Sequence, residues 1–314
     1  MRQKLEIERQ SAASRWTFNK LREEHRAQNG NLRGLFIDEN RFKNHLKETY
    51  GEKEPRQITA LDFDQLKIRL MKRGLSPATI RHILELFHRL FYFAAKGELC
   101  QVPTYLGELP QVNNQKTEDL TPRQLAKLWE ILDRDSNRTA ANIMKFALLT
   151  GMRRGEMFKL QWSNIDFSRG FITIRAPKNG QDQKIPLSAA ARKVLEDQPR
   201  TSEHVFPGKG GGQRVDINKQ ANRIKRLAGL PDEFRPLHGL RHVFASMLAS
   251  SGKVDMYALQ KLLTHKSPVM TQRYAHMRDE ALKKAAELAG DLIAADTKLG
   301  RLIAVDALGT DQHT

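Results

Sequence analysis

Six residues of this chain carry side chains suited to chemistry on a phosphodiester: Arg153, Lys178, His238, Arg241, His265 and Tyr274. Cleaving such an ester requires stabilising negative charge as it spreads over the phosphate oxygens. Arginine suits this because its planar fork meets two oxygens at once and keeps its proton. His238 and Arg241 form a His-x-x-Arg string. Residues three apart share a helix face, so both can address one phosphate. A tyrosine phenol titrates near ~10 and is a poor nucleophile at neutral pH. Tyr274 therefore needs dense positive charge or a nearby base. A lysine whose pKa is depressed by neighbouring cations can protonate a departing oxygen. Lys178, beside the Asn179-Gly180 turn, is the candidate for that role, with Lys184 as its substitute. His242, next to Arg241, points to another helix face and is read as structural.

Each of these residues needs an element to hold it. Residues 139–150 read as a buried helix stopped by Gly151, which delivers Arg153 just past its end. Lys178 lies in a hairpin between a strand at Phe171–Arg175 and a return strand at Lys184–Leu187. Tyr274 follows Ser267-Pro268, a helix-start signal. Helices dominate from about 215 to 293. Upstream, Thr121-Pro122-Arg123-Gln124 is a capping box with proline at the first helical position, and Leu125, Leu128, Trp129 and Leu132 form the stripe behind it. Residues 107–119 are polar and without apolar period, and read as a linker. Before them, residues 14–106 read as a helical domain. Its best helix opens at Ser76-Pro77, runs through Ile80, Ile83, Leu84, Phe87, Leu90, Phe91 and Ala94, and stops at Gly97. The division is then a charged segment 1–13, a helical domain 14–106, a linker 107–119, a second domain 120–293 and a tail 294–314. The fold class is mainly α with a small antiparallel β-sheet or hairpin.

The 314 residues suffice for about two domains with real cores. A formal net charge of +17 favours a polyanionic partner, nucleic acid first. Between Leu66 and Lys96 the chain carries Lys67, Arg69, Lys72, Arg73, Arg81, Arg89 and Lys96 against one acid, Glu85. A solvated helix face usually mixes signs, so these seven are the DNA-binding candidates. The single cysteine, Cys100, excludes an internal disulfide and a zinc finger. No cluster has metal-ligand spacing, and no metal is expected. Gly208 to Gly212 lacks the Gly-Lys-Ser/Thr ending of an ATP-binding loop. No apolar run approaches the ~18 residues of a spanning helix, and no signal-peptide core opens the chain. The expectation is a cytoplasmic protein, associated with the nucleoid when bound to DNA, with no membrane partner.

The strings Thr150-Gly151-Met152-Arg153-Arg154-Gly155-Glu156, Leu237-His238-Gly239-Leu240-Arg241-His242 and Leu263-Thr264-His265, with Tyr274 nine residues after His265, resemble those of the tyrosine recombinases, the phage integrase family. The resemblance is strong from about 120 to 280 and visible from about 14 to 105. It implies a helical core-binding domain followed by a mixed α/β catalytic domain, clamping duplex DNA together. Arg153 and Arg241 then look like the phosphate-binding arginines, Lys178 like the general acid, and His238 like the histidine that assists proton transfer at the nucleophile. His265 looks like a hydrogen-bond donor to the phosphate, Tyr274 like the nucleophile of a 3′-phosphotyrosyl link, and Glu156 like the structural acid. That chemistry conserves the bond energy, so no cofactor is implied. A homo-tetramer on attachment-site DNA and accessory DNA-bending proteins are the implied partners, and the integrase of a phage or mobile element is the branch it resembles most. Two positions depart from the family pattern: an acid is usual where Gly239 stands, and a glycine where Thr264 stands; threonine lacks glycine's backbone freedom, so a different local turn is expected there. Ala281, Leu282, Ala285, Leu288, Leu292 and Ile293 make a late apolar stripe that fits either its own domain or a neighbouring protomer. The alternatives are a type IB topoisomerase-like strand transferase and a catalytically silent DNA-binding accessory factor.

Overall fold

In the computed structural model, which describes residues 15–30, 34–101, 107–112, 118–175, 182–275, 283 and 286–293, the chain folds as two units that part between Asn114 and Gln115. The first holds α1 (Phe18–Gln28), α2 (Leu35–Arg41), α3 (Lys47–Tyr50), α4 (Ala60–Lys72) and α5 (Pro77–Lys96). A π-helical turn, Phe42–Leu46, joins α2 to α3. Helix α5 begins as its sequence dictates: the Ser76 hydroxyl accepts the Thr79 amide at 3.3 Å and Pro77 takes the first helical position. All seven apolar residues of the predicted stripe are buried, and Leu86 joins them. Phe87 is the hub of this core. Its ring meets Phe18 from α1 at 5.2 Å, Tyr50 from α3 at 4.7 Å and Phe63 from α4 at 4.6 Å. Aromatic pairs in this range add stabilisation beyond their buried area.

The predicted DNA-binding candidates divide into two sets. Lys72, Arg73 and Lys96 are exposed. Arg81 pairs with Glu85 at 2.9 Å, Arg89 with Asp38 at 2.8 Å, and Arg69 donates to Thr49 at 2.6 Å. Lys67 donates to the carbonyl of Glu108 and Arg81 to that of Pro110, so the stretch 107–112 lies along the first unit.

The second unit is built around α7 (Arg138–Thr150), which follows α6 (Pro122–Arg134). Residues 140–148 of α7 are all buried, as befits a helix apolar on almost every side. Beyond the short α8 (Arg154–Lys159), strands β1 (Ile165–Asp166), β2 (Phe171–Ile174) and β3 (Gln183–Pro186) form an antiparallel sheet in that order. The β2–β3 register pairs Ile172 with Ile185 and Thr173 with Lys184. The two-residue strand β1 was not foreseen, being too short to show an alternation. Helices α9 (Ala189–Glu196), α10 (Asn218–Leu227), α11 (Pro236–Ser250), α12 (Met256–Leu262) and α13 (Val269–Gln272) complete the unit. Helices α6, α9, α10 and α11 all pack on α7. A smaller core joins Ala245 and Ala249 of α11, Leu259 of α12, Leu263 and Tyr274. Residues 286–293 are helical and exposed.

Candidate active site

Two chain reversals create the site, and both place a residue in the left-handed backbone region. Helix α7 ends at Gly151, with φ of 63°. A Cβ there would lie 2.4 Å from the Phe244 ring, so glycine is required by space as well as by conformation. Helix α12 ends just before Thr264, with φ of 51°. Threonine is β-branched and strained in this region, so the turn that glycine makes in the family pattern persists here against the residue's own preference.

These reversals fix both arginines. Arg241, on α11, is 5% exposed and donates Nη1 to the Gly151 carbonyl at 2.6 Å and Nη2 to the Leu263 carbonyl. Arg153 caps α8. Its amide donates to the Glu156 carboxylate at 3.0 Å and its Nη1 to the same carboxylate at 2.9 Å. The other bonds of Arg153 go to Thr264, with Nη1 on Oγ1 at 2.6 Å and Nη2 on the carbonyl at 3.2 Å. The strained residue thus supplies a hydroxyl that glycine lacks. Burial first, and then the charge of Arg153, lower the Arg241 pKa to about 10, which still leaves it charged at neutral pH.

His265 follows directly. Its Nδ1 lies 2.8 Å from the Thr271 hydroxyl, which is 1% exposed. Burial, then the charges of Arg241 and Arg153, lower its pKa to about 3, so it is neutral. If the Thr271 hydroxyl donates to Nδ1, the ring proton sits on Nε2, where it can donate. His238 is exposed, one turn before Arg241 on α11. Its pKa lies below the ordinary value, through lost hydration first and then through Arg235 and Arg241. Lys178 lies outside the described residues. Its substitute Lys184 is exposed on β3.

Tyr274 is 2% exposed, and its hydroxyl lies 2.7 Å from Nδ1 of His242. This corrects the reading of His242 as a residue facing away from the chemistry. Helix α11 is buried on nearly every side, so two of its faces contribute to the site, and the face carrying His242 receives the tyrosine. Burial lowers the His242 pKa to about 4 and raises that of Tyr274. The phenol is therefore protonated and the imidazole neutral.

Sequence patterns also passed over Glu118, placed in the linker. Its carboxylate accepts three bonds from Arg235, at 2.6 to 2.9 Å, immediately before α11. At Gly239, where the family pattern carries an acid, a Cβ would lie 2.7 Å from the Phe234 ring. A side chain there would have to displace the Phe234 ring, and the carboxylate near the two histidines comes from Glu118 instead, acting to raise both their pKa values. Only the distance relation between residues 118 and 235 reveals this, and no local string encodes it.

The arrangement can therefore grip an anion with two fixed guanidinium groups and a neutral histidine, next to a buried phenol. The phage integrase family model matches residues 118–281, just over half of the chain. Tyrosine recombinase XerC of Xanthomonas campestris is 28% identical over 249 residues, covering 76% of each chain. Tyrosine recombinase XerA of Pyrococcus furiosus is 27% identical over 237 residues, covering 74% of this chain and 81% of that protein. A Tn1549 transposon integrase in complex with transposon right end DNA superposes with a TM-score of 0.73 at 19% identity, over 88% of this chain and all of the other. A lambda integrase dimer bound to a core site gives 0.67 at 18%, over 82% and 94%. Family match and fold agree: the chain belongs to the phage integrase family, the tyrosine recombinases.

Proposed function

We propose that this protein is a site-specific DNA recombinase that cuts and rejoins duplex DNA through a 3′-phosphotyrosyl link on Tyr274. The observation that carries this is the anchoring of Arg153 and Arg241 on neighbouring residues, Gly151, Leu263 and Thr264, which fixes two guanidinium forks before any DNA arrives. The arginines hold the scissile phosphate, and His265 adds a neutral donor through Nε2. Lys178 protonates the departing 5′ oxygen, a role carried by the family resemblance. His238 takes part in proton transfer on the same warrant, and Glu156 holds Arg153. Family membership supports strand transfer that draws on the phosphotyrosyl bond and needs no metal, ATP or cofactor.

Four protomers on two DNA sites fit strand exchange in pairs, and accessory DNA-bending proteins fit the integrase branch. The DNA exchanged belongs to a phage or mobile element, a reading supported by the texture of the first unit around Gly74–Ile80. Of the seven candidate cations in that unit, Lys72, Arg73 and Lys96 are exposed and suited to phosphate contact.

The test uses a nicked duplex that traps the covalent intermediate, built on DNA selected by the full chain from a randomised library. Wild type should give a protein-linked band on a denaturing gel without metal or ATP, and Tyr274→Phe should give none. A band of equal strength from Tyr274→Phe would remove Tyr274 as the nucleophile.

A further inference from the structure

We infer that His242 is the group that takes the phenol proton when Tyr274 attacks the phosphate, a catalytic base that the family's six-residue set does not contain. The inference rests on the assignment of Tyr274 as nucleophile. Its direct support is the 2.7 Å contact between Tyr274 Oη and His242 Nδ1, made inside a core where both residues are nearly shut off from water.

The direction of this hydrogen bond follows from counting partners. If the phenol donates, Nδ1 accepts and the ring proton sits on Nε2, leaving a single buried group without a partner. If Nδ1 donates instead, the phenol proton has no acceptor among the described contacts and the bare Nε2 has no donor. Two buried polar groups are then unsatisfied, and each costs its full desolvation penalty. The first arrangement wins, and it is the one in which the base already points its lone pair at the proton it will take. The family resemblance assigns the proton of the nucleophile to His238, but that residue stands differently: it meets the His242 ring edge-on at a centroid distance of 4.7 Å and is exposed, and among the described contacts the phenol bonds to His242 and not to it.

The step balances. The Tyr274 O–H bond breaks and its proton passes to Nδ1 of His242. The phenolate oxygen forms the bond to phosphorus as the bond from phosphorus to the 5′ oxygen breaks, and the leaving oxygen takes a proton from the acid. In the rejoining step the incoming 5′ hydroxyl returns a proton to that acid, and His242 returns its own to the departing phenolate. No other reactant is consumed, and the same pair serves both directions.

The groups that surround His242 tune it. His238 on its own helix, Arg235 at the helix start and Arg273 beside the tyrosine oppose its protonation, and Glu118 favours it. In the free protein burial holds the ring neutral, so the base is available at physiological pH.

The experiment compares wild type, His242→Asn and His242→Gln on the trapping duplex described above, together with a version in which the leaving 5′ oxygen is replaced by sulfur. Both amides offer an oxygen to the phenol and no basic nitrogen. Strand cleavage should fall roughly a hundredfold in at least one folded variant, the size expected for loss of a general base. The fall should persist with the sulfur leaving group, which needs no proton, and the acidic limb of the wild-type rate profile should vanish. Cleavage within about twofold of wild type would make the contact mere packing, and faster cleavage would make it a restraint on the nucleophile. Rescue by the sulfur substrate would move the defect to the acid. Loss of a melting transition in both variants would assign His242 to the core. Any of these four results overturns the inference. Failure of wild type itself to link to DNA while binding it removes the reading of Tyr274 first, and is seen before any variant is compared.

Discussion

At the scale of single residues, Thr264 sets a local cost against a local gain. A non-glycine residue in the left-handed region costs on the order of 1–3 kcal/mol, and a hydrogen bond to a charged group returns on the order of 1.5–3 kcal/mol. Thr264→Gly removes both terms, and Thr264→Ala removes the hydroxyl while keeping the strain. We expect Thr264→Ala to melt below Thr264→Gly, and both to cleave DNA more slowly because Arg153 loses its 2.6 Å anchor. Thermal melts beside cleavage rates check this, and a variant order reversed in stability would show that the turn carries no strain. The same position marks what a sequence tells and withholds. The string Leu263-Thr264-His265 shows the missing glycine, and the conformational preference of threonine argues that the turn changes. The structure keeps the turn, because the Thr264 hydroxyl and carbonyl both face a guanidinium that lies 111 positions earlier in the chain. Long-range partners of this kind leave no local trace.

At the scale of elements, helices α5 and α6 were legible because proline, cap residues and apolar period agreed at each, and α7 because its apolar run stops at Gly151. The face of α11 was not, because a helix buried on nearly all sides has no single inward stripe. Two histidines of the site also govern a pH response. His242 on α11 and His265 beyond α12 titrate near 4 and near 3 in the folded chain, against ~6.5 when unfolded. Below pH ~6.5 the unfolded chain therefore binds more protons than the folded one, and stability falls as pH falls through that window. For His242 alone the loss between pH 7.5 and pH 5 is on the order of 2 kcal/mol. Urea unfolding of the second unit should show a lower midpoint at pH 5, and His242→Asn should flatten the response. A midpoint unchanged between the two pH values would mean that these rings are not held neutral by burial.

At the scale of the whole molecule, the second unit carries an apolar groove of about 710 Å³ lined by Leu125, Trp129, Leu148, Leu149, Phe244 and Met247. The helical stretch 286–293 leaves Leu288 and Leu292 more than half exposed. The groove and the exposed stripe are both apolar, and in the proposed tetramer one protomer's stripe would meet another's groove. Deleting residues 280–314 should then weaken assembly of the synaptic complex on DNA while leaving binding to a single site intact. Unchanged synaptic complexes by gel shift would sink the idea. The surplus of seventeen positive charges acts at the same scale, drawing the protein to DNA of any sequence before the site is found.

The burial of Tyr274 has a consequence for the protein between encounters with DNA. A nucleophile that is 2% exposed and bonded to a neutral ring offers nothing to the nucleotides, sugar phosphates and RNA that crowd a strongly cationic surface. Tyr92 and Tyr257, at 53% and 68% exposure, meet those solutes instead. The free protein is thus a chemically quiet passenger on the wrong polymers, and its reactivity is released only by a substrate able to reach the phenol.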